Sequence, residues 1–278
     1  MGPKGRLARF ILNSGGMDPY ISRLYNIVEE HHHRKESSAE VVAIVNMLCE
    51  QLEIYDPLGN SFIRVGNDSD GGYVIVDKLN ELDAVLSFGV GTDISFEIGL
   101  SKFVSKLALY DHTVNELPTR IHNAVFVKTG LSDHSEANFC TLEEALDQFH
   151  PYSNILLKMD IEASEWAVFR NTRKDVLNHF QQIVIEFHGL HNISDPTMAE
   201  KMILTLMKIN STHRLVHLHS NNFEPVRIIA GVPLPNVIEA TYLRMTDSEF
   251  SRFDLPRGKR HNKANNSAIP DVSNRLLF

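Results

Sequence analysis

The chain has 278 residues, 43% hydrophobic and 22% charged, an ordinary globular composition that excludes disordered and collagen-like classes. Its length allows one large α/β core with additions. The formal charge of −8 argues against a nucleic-acid-binding surface, and the longest apolar runs are strand-sized, too short to cross a bilayer. Two isolated cysteines, Cys49 and Cys140, make neither a zinc site nor a disulfide framework and suit a reducing cytoplasm. The opening MGPKGRLARFIL is too short in its apolar part for a signal peptide and is soon interrupted by Asn13 and Asp18. These features predict a cytoplasmic protein with neither nucleic acid nor membrane as partner, and leave its oligomeric state open.

Residues 1–60 read as an N-terminal helical extension. Apolar residues recur at three- and four-residue spacing over Tyr20 to Glu30 and Ala39 to Leu52. Between them, HHHRKESS at 31–38 reads as a polar helix end or loop, because adjacent helical histidines point in different directions and cannot converge on one ion. From residue 62 short apolar runs alternate with helical segments, the pattern of βα units on a mainly parallel sheet. Strands are predicted at Tyr73–Val76, Ala84–Phe88, Lys106–Tyr110, Ala124–Val127, Ile155–Met159, Gln182–Phe187, Arg214–His219 and Glu239–Arg244. Helices are predicted at Ile94–Phe103, Thr141–Phe149, Glu165–Asn171 and Pro196–Ile209, with Thr141 and Glu144 as a capping box. Residues 61–246 are thus expected to form an α/β domain with helices on both faces. Residues 247–278 read as an irregular tail, whose basic residues Arg257, Lys259, Arg260 and Lys263 are a solvated run.

Five stretches carry the chemistry. In AVLSFGVGTDISFE, residues 84–97, a strand runs into Gly89-Val90-Gly91 and then a helix, so the backbone turns sharply and a ligand can approach. The next strand ends in Asp111, placed as ribose-binding acids are placed in nucleotide-binding α/β folds. A dinucleotide fingerprint needs a third glycine where Ile94 stands, which weakens a nicotinamide reading. ILLKMDIEASEW, residues 155–166, delivers Asp160 to a carboxyl strand end, followed by Glu162 and Glu165. QIVIEFHGL, residues 182–190, puts Glu186 and His188 on one strand face, and RLVHLHSNN, residues 214–222, does the same for His217 and His219. Asp160, His188 and His219 at consecutive strand ends are expected to floor one pocket.

Taken together, these stretches resemble the FkbM-like group of S-adenosylmethionine-dependent methyltransferases over residues 62 to 245. The most specific piece is LLKMDIEASEW, similar to the group's lysine followed by D-x-E-G-x-E-W, with Ala163-Ser164 where a glycine-alanine pair is usual. VIEFHG, HLHSNN and RVGNDSDGGYVIVD add support. The resemblance implies a Rossmann-like methyltransferase fold, a mostly parallel sheet with an antiparallel final strand. It also implies S-adenosyl-L-methionine as cofactor, with Gly89 and Gly91 lining the methionine portion, Asp111 on the ribose and Ser132 and Asp133 flanking the adenine. The acceptor it implies is a hydroxyl on a sugar, glycan or other small molecule. Motif one departs from acid-x-G-x-G-x-G, since Ser87 replaces the acid and Asp93 the last glycine.

An oxygen acceptor must lose a proton, and histidine is suited to take it near neutrality. His188 or His219 is the expected base, with Asp160 orienting it or the acceptor. A divalent ion held by Asp160, Glu186 and His188 is the alternative, and the metal-free route is preferred. The rival classes are a nicotinamide-dependent oxidoreductase and a non-catalytic nucleotide-binding or interaction module.

Overall fold

A computed structural model describes residues 38–252 and 261–272. The expected helix at Tyr20–Glu30, the three histidines at 31–33 and the basic residues Arg257, Lys259 and Arg260 lie outside the described residues. Seven strands, numbered β1–β7 in chain order, build the central sheet. They are β1 (Ala84–Phe88), β2 (Lys106–Tyr110), β3 (Ala124–Val127), β4 (Ile155–Met159), β5 (Phe180–His188), β6 (His213–Ser220) and β7 (Val237–Arg244). Their order across the sheet is β6-β7-β5-β4-β1-β2-β3. Neighbours from β5 to β3 run parallel, while β7 is antiparallel to both β5 and β6. The chain is therefore a mixed α/β protein with a mostly parallel, Rossmann-like sheet and the expected antiparallel final strand. The bounds of β1 to β4 coincide with those predicted, and β5, β6 and β7 each extend beyond theirs.

Strands covered on both faces read as continuous apolar runs, and the two-residue period sorts their side chains. Leu86, Phe88, Leu157, Ile185 and Phe187 pack into one core with α1 (Ala39–Gln51), α4 (Glu165–Asn171) and α6 (Pro196–Asn210). The helices α2 (Ser95–Ser101), α3 (Leu142–Asp147) and α5 (Lys174–Leu177) complete the set in chain order. Val85, Leu107, Leu109, Leu156 and Val184 face the other way, into a core shared with Ile75 and with Phe96 and Leu100 of α2. Ser38 caps α1, and Val41, Val45 and Leu48 are its buried stripe. The capping box at Thr141 and Glu144 is formed. Among the described residues no helix is long and apolar enough to cross a membrane.

Pairings outside the central sheet go beyond the predicted pattern. Tyr73–Val76 is a strand, but it pairs with Phe62–Val65 in a hairpin instead of joining the central sheet. The Gln182 carboxamide of β5 docks this hairpin by accepting from the Val76 N–H (2.9 Å) and donating to the Val76 carbonyl (3.0 Å). Thr241 of β7 adds a bond to the Val74 carbonyl at 2.6 Å. Val226–Ile229 and Val232–Pro235 form a second hairpin. Tyr55–Pro57 pairs with Phe250–Arg252, so part of the span read as an irregular tail is a strand.

Candidate active site

The glycine turn sits where β1 leaves the sheet. Gly89 has φ +71°, and a Cβ there would lie 1.6 Å from the Asp160 carbonyl oxygen at the end of β4. Only glycine fits both the left-handed conformation and that approach. Gly91 has φ +53° and open space where a Cβ would stand, leaving room beside the backbone. Its N–H donates to Asp111 at 2.8 Å, and the other Asp111 oxygen accepts from the Thr113 N–H (2.7 Å) and hydroxyl (2.6 Å). Burial raises the Asp111 pKa, but these hydrogen bonds outweigh it and hold the carboxyl below its usual range. Ser87, which stands in the place of the motif acid, donates to buried Glu97 of α2 at 2.6 Å. A carboxylate thus lies under the turn after all, contributed by the helix, and its second oxygen has no partner.

Ser132 and Asp133 make contacts of their own. Asp133 accepts from Asn171 at the end of α4 (2.6 Å) and pairs with His134 (2.8 Å) and Ser132 (3.4 Å). No described contact joins either residue to the glycine turn or to Asp111.

The ends of β4 and β5 meet in a cleft of carboxylates. The Nε2 of His188 lies 3.9 Å from Asp160, 3.6 Å from Glu162 and 4.0 Å from Glu186, while its Nδ1 faces Glu165 at 3.1 Å. Glu165 is fully buried and also accepts from the Ile161 N–H. Burial works to lower the His188 pKa, but Glu165, Glu186 and Asp160 together hold it well above the ordinary histidine range. Burial, with repulsion from Asp160 and Glu239, raises that of Glu186. Tyr73, carried in by the hairpin, donates toward Asp160 (3.3 Å) and Glu186 (3.4 Å). Lys158, buried on β4, is 3.6 Å from Asp160 and donates to the Gly89 carbonyl at 2.7 Å, tying this cleft to the glycine turn.

Asp160 and His188 therefore come together, and His219 does not join them. The antiparallel strand β7 lies between β5 and β6, so strand ends consecutive in sequence are not adjacent in the sheet. His219 is 1% exposed, and both ring nitrogens are engaged, by Glu239 of β7 (3.0 Å) and by Asp271 (2.9 Å). Those carboxylates overcome its burial and raise its pKa to about 9. It has no free nitrogen with which to act as a base. Sequence reasoning misses Tyr73, Lys158 and Glu239. Glu239 had a signal: a carboxylate amid the apolar run of a final strand. A shallow cavity of about 310 Å³ between Glu116 and Phe126 shares no residue with this cleft.

No protein-family model matches the chain, and no curated protein matches it. Among solved structures it is similar to a candidate hemolysin from Streptococcus thermophilus, with 12% identity and TM-score 0.37, over 63% of this chain and 62% of that one. The chain thus spans less than two thirds of that protein's length. It is also similar to a candidate methyltransferase from Streptococcus mutans in complex with SAH, with 12% identity and TM-score 0.33, over 60% of this chain and 92% of the other. A third is an rRNA methylase from Streptococcus thermophilus, with 9% identity and TM-score 0.34, over 60% and 91%. The exclusion of nucleic acid as a partner is withdrawn, because a formal charge of −8 does not carry it. Net charge averages the whole surface, whereas a nucleic acid meets one local patch.

Proposed function

We propose that the chain is an S-adenosylmethionine-dependent methyltransferase of the FkbM-like group that methylates a hydroxyl oxygen of a sugar, glycan or other small molecule. The observation that carries this reading is the hydrogen bond from Gly91 to Asp111, made beside open space and tied through Lys158 and Gly89 to the cleft of Asp160 and His188. The residues present fit the donor. Asp111 keeps unused acceptor capacity for ribose hydroxyls, and the room beside Gly91 suits the methionine portion. Ser132 and Asp133 flank the adenine in this reading.

The bound donor supplies an electrophilic methyl group. The chain's part is to hold an acceptor oxygen near attack distance, roughly 3–3.5 Å, and to receive its proton. Asp160 orients the hydroxyl. His188 accepts the proton at Nε2, because Glu165 fixes Nδ1. Its raised pKa makes turnover climb as pH rises beyond the ordinary histidine range, since only neutral imidazole accepts a proton. The experiment is calorimetric titration with S-adenosylhomocysteine, followed by transfer of labelled methyl from the donor to sugars, glycans, small hydroxyl compounds and RNA. Failure of the folded protein to bind S-adenosylhomocysteine sinks the donor. Labelling of RNA alone sinks the acceptor class.

A further inference from the structure

A second group of carboxylates lies behind the first. Glu186 and Glu239 face each other in register across β5 and β7, and Asp70 reaches them from the turn of the Phe62–Val76 hairpin. One oxygen from each of the three lies within 4.8 Å of the others. Among the described residues no Lys or Arg is within ion-pairing distance of any of them. Glu186 is met by Asn221 (2.8 Å) and Tyr73 (3.4 Å), and Glu239 by His219 (3.0 Å).

Asn265 supplies an independent observation. It is 3% exposed, and its carboxamide ends between Glu239 (2.5 Å) and Asp70 (3.2 Å) through the nitrogen. Its carboxamide oxygen is buried and has no hydrogen-bond partner. Buried amide oxygens ordinarily accept a bond, so this orphan requires a physical reason. A half-turn about the last side-chain torsion exchanges the amide's oxygen and nitrogen. It would aim the oxygen at the carboxylates, an arrangement that repels unless a cation lies between them.

We infer that Asp70, Glu186, Glu239 and Asn265 form a binding site for a hard divalent cation of the Mg²⁺, Mn²⁺ or Ca²⁺ class. Four oxygen donors and no sulfur or nitrogen select such ions over zinc or copper. Four protein ligands leave coordination positions for water or for an acceptor hydroxyl. Asp70 is exposed, which opens the site to solvent. The set is distinct from Asp160, Glu165 and His188, whose imidazole already faces Glu165. It also departs from the metal-free route preferred from the sequence.

The test is titration of the full chain with Mn²⁺ alone, followed by electron paramagnetic resonance and calorimetry. One bound ion per chain is expected. Asp70→Asn and Asn265→Leu should each weaken binding at least tenfold, and His188→Ala should leave it unchanged. Asp70 is exposed, so Asp70→Asn keeps the test open if a buried variant fails to fold. Absence of Mn²⁺ binding by the folded wild type overturns the site. So does binding that survives Asp70→Asn but is lost in His188→Ala, which would move the ion to the neighbouring group. S-adenosylhomocysteine affinity, measured in parallel without metal, reports separately on the methyltransferase reading.

Discussion

Ala163 adopts φ +76°, in the left-handed region, at the position where the resembled motif carries glycine. An alanine there costs roughly 1–2 kcal/mol through the clash of its Cβ with the following carbonyl. Glycine relieves the clash but makes the unfolded chain more flexible, which takes back part of the gain. Ala163→Gly should therefore stabilise the protein by about 1 kcal/mol, read as a rise in the urea midpoint with an unchanged slope. Asp111 gives a prediction of opposite sense. It holds Gly91 and Thr113 and, in the proposed function, the donor's ribose. Asp111→Ala should weaken S-adenosylhomocysteine binding tenfold or more, at roughly 1.5–3 kcal/mol for each charged hydrogen bond lost. Unchanged calorimetric affinity in the folded variant would remove Asp111 from the donor site.

At the scale of elements, the hairpin Phe62–Val76 is the piece that finishes the cleft. Gln182 and Thr241 clamp it across β5 and β7, and that clamp fixes where the Tyr73 hydroxyl lies. The hydroxyl is the proton donor shared by Asp160 and Glu186. Burial, aided by those carboxylates, pushes its pKa well above the usual tyrosine range, so it stays protonated. Under the proposed function, Tyr73→Phe should lower single-turnover methyl transfer roughly tenfold while donor affinity holds, the expected loss of a hydrogen bond to charged groups. Equal turnover in both proteins would make Tyr73 a packing residue only. The legibility of the elements follows the same physics. Apolar runs such as ILLKM and AVLSF mark buried strands because a strand covered on both faces has no polar side to show. Asp160 and His188 were legible because each follows such a run. The placement of β7 between β5 and β6 is a long-range choice that no local pattern encodes, so the sequence alone does not separate His219 from Asp160 and His188. Asn265 was hidden because a polar stretch without periodicity carries no sign of which residue turns inward.

For the molecule as a whole, two buried histidines set opposite limits on stability. Burial lowers the His213 pKa to about 4, against the weaker pull of the Phe180 carbonyl. Its native value lies below the unfolded value of about 6.5, so its contribution is fully present above pH 6.5 and is lost as pH falls through 4. The loss is about 3 kcal/mol by linkage. His219, raised to about 9, has the reverse sign: its contribution is fully present below pH 6.5 and is lost as pH rises through 9. Melting temperatures across pH 4 to 9 should fall on both sides, with His213→Leu flattening the acid limb and His219→Gln the alkaline limb. A variant that changes neither limb would show that its histidine does not couple protonation to folding.

The position of β7 also sets an order of events during synthesis. The chain produces β6 before β7, yet β6 touches the sheet only through β7. Until residue 244 has been made, β5 keeps one edge unpaired and β6 has no strand of the central sheet to pair with. Open apolar edges recruit strands from other chains, so a nascent or truncated protein ending before β7 is a template for aggregation. The facing of Glu239 with Glu186 cannot exist before that last strand closes, and the acidic centre is therefore among the final parts of the protein to assemble.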